Sequence, residues 1–101
     1  MDFALGVLAD KDYPAMVRAV APWARSFSVY APTSPRALSA DELAACVREV
    51  LGEEGRADDV PVRVCAEAAE ALRAARAAAG SQGVAVAFGT LYAIADLMAA
   101  L

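Results

Sequence analysis

The sequence predicts an α/β fold with a mainly parallel sheet, in one domain that spans residues 1–101. Short apolar runs of strand length alternate with longer segments whose apolar residues recur at helical spacing, in the order βαβαβαβα. The length of 101 residues suffices for one hydrophobic core and is too short for two. Strands that alternate with helices favour right-handed crossovers, which place helices over the faces of the sheet.

The first strand and the first helix are predicted within residues 3–24. Residues 3–9 are an apolar run with the length of a buried parallel strand, and this run stops at the charged residues 10–12. Asp12 is placed to cap the helix, and Pro14 is tolerated in its first turn. The helix has apolar residues at the spacing of one face, at Tyr13, Met16, Val17, Val20 and Ala24.

A second strand and a second helix are predicted within residues 27–51. The strand is residues 27–30, and a loop with two prolines follows it over residues 31–38. Ser39 and Glu42 have the spacing of a capping box and mark the start of the helix. Its apolar stripe is Leu43, Cys46, Val47, Val50 and Leu51.

The rest of the chain predicts two further strands and two further helices. Alternating valines over residues 60–64 predict the third strand, and Pro61 favours a position at the sheet edge or among the first residues of the strand. Early glutamates and late arginines complement the dipole of the third helix, which Gly80 closes. Residues 84–88 are the most apolar strand, and a last helix follows with Leu91, Ile94, Ala95 and Met98 on its apolar face. Together these elements predict a three-layer, Rossmann-like architecture.

The apolar stretch at residues 84–101 approaches the length of a membrane span. Its start is strand-like, Gly89 and Thr90 interrupt it, and the remainder is amphipathic with Asp96 opposite the apolar stripe. A buried strand followed by a packed helix fits this pattern better. We therefore expect no association with membranes.

Charge and cysteine content exclude several classes of function. Nine basic against thirteen acidic residues give a net charge of −4, so nucleic acid is not an expected partner. The start of the chain lacks the features of a secretory signal, and we expect a cytoplasmic protein. Cys46 and Cys65 are too widely separated for a CxxC site and are expected to be reduced, buried thiols.

The sequence also lacks the residues on which most enzyme classes depend. No P-loop is present, since Lys11 is the only lysine and no Gly-rich run precedes it. The absence of histidine excludes a Ser-His-Asp triad and zinc held by histidine.

Three loops follow the predicted carboxyl ends of strands, at residues 10–12, 33–36 and 89–92. Ligands of parallel sheets bind at this edge, so we expect the loops to form one pocket for an anionic small molecule. Lys11 and Arg36 can hold carboxylates, the arginine bidentately, while Thr90 and the amide at the start of the last helix can donate to an anion. A plainer interpretation stays open for these residues. Asp10 and Asp12 can form a solvated turn and a helix cap, and Arg36 can be an ordinary loop arginine. Thr90 can serve as a cap, and Tyr92 can simply lie on the last helix.

The three loops carry a resemblance when they are taken together. Their sequences, in this order, are Leu8-Ala9-Asp10-Lys11-Asp12, Ser34-Pro35-Arg36-Ala37 and Gly89-Thr90-Leu91-Tyr92. The chain resembles the C-terminal domain of the folylpolyglutamate synthase/dihydrofolate synthase family, in the Mur ligase superfamily. The resemblance extends over essentially the whole chain.

This resemblance implies a ligase that uses ATP and Mg²⁺ to phosphorylate a carboxylate of folate or dihydropteroate, after which the amine of L-glutamate attacks. Lys11 matches a lysine expected near the glutamate or the transferring phosphate. Arg36 stands where related Mur ligases have an arginine that grips the carboxylate of the amino acid. Thr90 replaces the serine of the family's Gly-Ser-Leu-Tyr motif and keeps its hydroxyl group. The substrate-binding residues implied are Asp10, Lys11, Asp12, Ser34, Arg36, Thr90 and Tyr92.

One departure from the family concerns its first βα unit. The family's domain opens with a strand that ends in Asp-Gly-Ala-His-Asn-Pro, and this sequence has neither the motif nor a histidine. We therefore expect a partial domain that is inactive alone, needs the P-loop domain of a parent ligase as its partner, and can self-associate through an exposed edge. The alternative is a stand-alone α/β module that binds a partner or a small anion without catalysis.

Overall fold

Four strands form one sheet in the computed structural model, which describes residues 1–10, 12–80 and 85–89, the last segment by its backbone alone. The strands are β1 (Asp2–Gly6), β2 (Ser26–Val29), β3 (Val62–Val64) and β4 (Ala85–Gly89). They lie in the order β3-β2-β1-β4, and each neighbouring pair is parallel. The predicted parallel α/β sheet is confirmed.

Three α-helices connect the strands in the described part of the chain: α1 (Tyr13–Val20), α2 (Ala40–Glu53) and α3 (Ala68–Ala79). Both predicted caps are present, since the side chain of Asp12 accepts from the amide of Ala15 and that of Ser39 accepts from the amide of Glu42. Gly80 closes α3 with a φ of 65°, as predicted. The predicted last helix lies outside the described residues.

The first helix is shorter than the sequence predicts. The α-helical part ends at Val20 and continues as a 3-10 turn over Ala21–Trp23. Pro22 explains the change, because proline has no amide hydrogen to donate to the carbonyl of Arg18 and its ring crowds that carbonyl. The apolar spacing as far as Ala24 is still used, since Ala21 and Ala24 are buried in the core.

The sheet separates two hydrophobic clusters, which gives the predicted three layers. The larger cluster lies between the sheet and helices α1 and α2, around Leu5, Val17, Phe27 and Val47. Rings of Phe3 and Phe27 stack there with centroids 5.5 Å apart. The smaller cluster lies under α3 and consists of Ala4, Tyr30, Cys65, Ala68, Ala71, Leu72 and Ala75. Alanine on α3 lets that helix approach the sheet closely, with Tyr30 supplying most of the bulk.

The predicted first strand, residues 3–9, is too long at its carboxyl end. The parallel ladder stops at Gly6, which pairs with Gly89. A Cβ atom on Gly6 would lie 2.7 Å from Cζ of Tyr30, so the tyrosine ring occupies the space above this glycine. Residues 7–9 leave the sheet and pair with a different segment, described below.

The third strand lies at an edge of the sheet, where Pro61 predicted it. The carbonyl of Pro61 accepts a hydrogen bond of 2.9 Å from the amide of Phe27, so this proline still bonds to β2 directly before β3 begins. Val64 in β3 is 45% exposed. Self-association through an exposed edge stays a prediction.

The structure bears on two further predictions from the sequence. Within the residues that it describes, no helix is long and apolar enough to cross a membrane. Both cysteines are free thiols, as expected, and Cys65 is buried. The expectation of full burial is wrong for Cys46, which lies at the margin of the core and is only partly covered.

Candidate functional site

The predicted loops leave the same edge of the sheet. Strands β2 and β4 flank β1, and the register places Leu5 beside Val29 and Gly6 beside Gly89. The carboxyl ends of three neighbouring strands therefore lie side by side. This is the edge at which parallel α/β sheets bind their ligands.

The loops after β1 and β2 are joined by a short antiparallel pairing, which we call the loop clamp and define as residues 7–9 and 36–38. The amide of Leu38 donates to the carbonyl of Val7 over 3.0 Å, and the amide of Ala9 donates to the carbonyl of Arg36 over 2.8 Å. Leu8 and Ala37 form the bridge between these bonds. Val7, Leu8 and Leu38 are buried, so the clamp is fixed to the core.

Arg36 is the first charged residue that the loop clamp positions. Its amide donates to the hydroxyl of Ser34 over 3.2 Å, and the carbonyl of Ser34 accepts from the amide of Ala37 over 3.1 Å. The hydroxyl of Ser34 therefore stabilises the turn that carries the arginine. Ser34 acts in this structure on the backbone of Arg36.

Asp10 is the second charged residue at the clamp, and it pairs with Arg36. One guanidinium nitrogen of the arginine, Nη1, lies 2.9 Å from Oδ2 of Asp10. The side chains are 58% and 50% exposed, respectively. Neither side chain makes another hydrogen bond or ion pair within the described part of the chain. No described residue therefore engages the second terminal nitrogen or Nε of Arg36.

The other predicted site residues have different outcomes. Asp12 accepts a 3.3 Å bond from the amide of Ala15, which confirms the cap. A role for Asp12 in binding stays a prediction. Lys11, Thr90 and Tyr92 lie outside the described residues, although β4 brings the chain to Gly89 at the same edge.

Sequence reasoning missed the loop clamp and the close contact between Gly6 and Tyr30. The apolar residues Val7 and Leu8 predict a longer strand, because an apolar run has the same pattern in a buried strand and in a buried loop. The signal for the contact is a glycine at the end of one strand beside a large aromatic residue at the end of the next. Gly6 and Tyr30 have this arrangement once β1 and β2 are paired.

A separate groove of about 290 Å³ lies between α1 and α2. Its lining includes Tyr13, Arg18, Glu42, Cys46 and Glu49. Burial, and next the carboxylate of Glu49, raises the pKa of the Cys46 thiol. A thiol with a raised pKa is less often ionised at neutral pH, which makes Cys46 a poorer nucleophile there. The described residues also contain no cluster of three side chains that can hold a metal ion.

The opposite edge of the sheet has its own acid and base pair. Asp2 is buried, and its Oδ1 accepts a 2.6 Å bond from the hydroxyl of Ser26. Its Oδ2 accepts no hydrogen bond in the described part of the chain but lies 3.2 Å from Nη2 of Arg25. The same nitrogen donates to the carbonyl of Ala78 over 2.9 Å, at the end of α3. Through Arg25, this pair connects Asp2 in β1 to the end of α3.

Comparison with known proteins gives matches in structure. No protein-family model and no curated protein matches the sequence. Folylpolyglutamate synthase of Mycobacterium tuberculosis, complexed with ADP, matches with a TM-score of 0.75 and 26% sequence identity over 97% of this chain. The same enzyme complexed with ADP and AMPPCP matches with a TM-score of 0.71 and 27% identity over 96% of this chain.

The match extends over a small part of the synthase. The chain spans 23% of the synthase chain in the first structure and 22% in the second. The match to folylpolyglutamate synthase agrees with the resemblance of the three motifs and with the parallel sheet that brings two of them together. The chain therefore has the fold of the C-terminal domain of folylpolyglutamate synthase.

Proposed function

We propose that this chain is the domain that binds the incoming amino acid in an ATP-dependent ligase, which adds L-glutamate to folate or dihydropteroate. The observation that carries the proposal is the position of Arg36. The loop clamp holds this residue at the carboxyl edge of the sheet, where the described residues leave some of its N–H donors free for a carboxylate. The fold, matched to folylpolyglutamate synthase, supports the same assignment. In the parent enzyme this domain would close over a P-loop domain and bring glutamate to the activated carboxylate.

Arg36 would bind a carboxylate of the incoming glutamate. Its guanidinium is planar and presents paired N–H groups that match the two oxygens of a carboxylate. Backbone bonds at both ends of the arginine's turn fix its position, so little ordering is needed when a ligand arrives. The amine of glutamate, after its ammonium form loses a proton to solvent, would then be aimed at the acyl group. Its attack forms the amide bond as phosphate leaves, and the nitrogen loses a second proton.

Binding of ATP and Mg²⁺ is expected of the proposed parent ligase, and the described residues of this chain offer no site for either. The sequence has no P-loop, and the described part offers no cluster of metal ligands. We assign both to the P-loop domain, where ATP supplies the phosphoryl group that activates the carboxylate of folate or dihydropteroate. Residues of this chain are proposed to bind and orient glutamate, so the isolated chain is expected to be inactive.

The proposal is tested by joining this chain to a P-loop domain of the family and measuring ligation against L-glutamate concentration. Arg36→Ala is expected to raise KM for glutamate by roughly 10- to 100-fold, the effect of losing charge-assisted hydrogen bonds. Arg18→Ala is the matched control, since Arg18 also pairs with an exposed carboxylate, that of Glu53. Equal KM values for the two variants would contradict the role of Arg36.

A stand-alone anion-binding module is the second candidate. It is favoured by the same free donors on Arg36 together with the lack of a P-loop. The mass of the native polypeptide distinguishes the candidates. A product several times larger, with a P-loop upstream, supports the ligase, and a native product of this size supports the stand-alone module.

A further inference from the structure

We propose that Asp10 recognises the ammonium group of the amino acid that Arg36 holds, so that the pair selects a zwitterion over a plain dicarboxylate. The inference rests on the proposed function for the carboxylate-binding role of Arg36. It adds a specificity-determining residue and a reason why glutamate is preferred over an acid of the same length without an amine.

The geometry of the pair supports this role. A single contact of 2.9 Å joins Nη1 of Arg36 to Oδ2 of Asp10. Within the described residues this leaves Oδ1 of the aspartate as an acceptor, beside guanidinium N–H groups that remain donors. An α-amino acid carries the complementary groups, an ammonium and a carboxylate on one carbon atom. Both can be bound while the pair itself stays intact.

Asp10 is also the aspartate in this loop that is free to act on a ligand. The carboxylate of Asp12 already accepts from the amide of Ala15 and caps α1. Asp10 is half exposed, and it lies directly after Ala9, whose amide is bonded in the loop clamp. The residue is therefore accessible and held close to Arg36 by the backbone.

Charge gives a second argument. A guanidinium alone attracts every carboxylate, and Asp10 offsets that positive charge at a distance of 2.9 Å. The pair is thus nearly neutral, which disfavours a pure anion and suits a ligand whose own head group is neutral overall. If Asp10 only competed with ligands for Arg36, it would weaken the binding of an amino acid and of a dicarboxylate equally.

The test compares L-glutamate with glutarate, which has the same two carboxylates and no amine. Each ligand is titrated into the 101-residue chain at neutral pH and low salt, and the arginine side-chain signals are followed by NMR. The wild-type chain is expected to bind glutamate about two- to fivefold more tightly than glutarate, as one exposed ion pair allows. Asp10→Asn is expected to abolish this preference and to strengthen binding of glutarate.

Glu53→Gln is the matched control, because it removes one carboxylate from another exposed pair, with Arg18, and leaves the loops intact. It is expected to keep the preference for glutamate. A preference that survives in Asp10→Asn, or equal affinities in the wild type, would overturn the inference while leaving Arg36 as the carboxylate site. A wild-type chain in which neither ligand perturbs Arg36 would overturn the proposed function, and the role of Asp10 with it.

Discussion

The two edges of the sheet use the same pair of charged groups for different purposes. At the amino edge, Asp2 is buried, bonded to Ser26 and paired with Arg25, which also binds the end of α3. At the carboxyl edge, Asp10 and Arg36 are each at least half exposed and share one contact. For this reason we propose a binding role only for the pair at the carboxyl edge, where burial and described partners leave some of the polar groups unengaged.

The largest expected difference between the edges is in stability. Asp2→Ala would leave the hydroxyl of Ser26 buried without its acceptor, and we expect a loss of roughly 2–3 kcal/mol in the free energy of unfolding. Asp10→Ala, at an exposed pair, is expected to change it by no more than about 0.5 kcal/mol. Urea unfolding of both variants measures the difference. Equal losses would show that the exposed pair also holds the fold together.

A smaller effect is expected at the contact that ends the first strand. Gly6→Ala places a methyl group 2.7 Å from the fully buried ring of Tyr30, so we expect a loss of about 1–2 kcal/mol. Gly52→Ala is the matched control, because no atom lies within 4 Å of a Cβ there and the position is helical. It is expected to be neutral or slightly stabilising. Equal effects in the two variants would contradict the close approach of Tyr30.

The smallest expected effect is the pH dependence of the free energy of unfolding that the Cys65 thiol causes. Burial, and next the carboxylate of Glu70, raises the pKa of Cys65 above its ordinary value. The folded chain then holds this proton more tightly than the unfolded chain. The contribution to stability is complete below about pH 8.5, where an unfolded thiol titrates, and is lost as pH rises through the higher folded pKa. Cys65→Ala should reduce the loss of stability between pH 8 and 10, measured by urea unfolding, and an unchanged loss would contradict this assignment.

The fold was largely predictable from the sequence because its signals are local. Helix caps at Asp12 and Ser39, the edge proline Pro61 and the alternation of strands and helices are all properties of neighbouring residues. The end of the first strand was not predictable in this way. It depends on Tyr30, which is distant in sequence from Gly6 and close to it only after β1 and β2 pair.

The candidate site was predictable in part for the same reason. The position of two loops at one edge follows from the parallel sheet, and the choice of Arg36 and Asp10 follows from residue type. Their contact does not, because it depends on the loop clamp, whose hydrogen bonds join residues far apart in sequence. Nor does the structural use of Ser34, whose hydroxyl accepts from the amide of Arg36.

The most direct measurement of the central claim is a crystal structure of this chain, joined to a P-loop domain of the family, with L-glutamate bound. The account predicts a carboxylate of glutamate on the free edge of the Arg36 guanidinium, with N–H to O contacts of about 2.7–2.9 Å. It also predicts that the backbone bonds of the loop clamp are unchanged. Glutamate bound at another place, with Arg36 still bonded only to Asp10, would contradict the account.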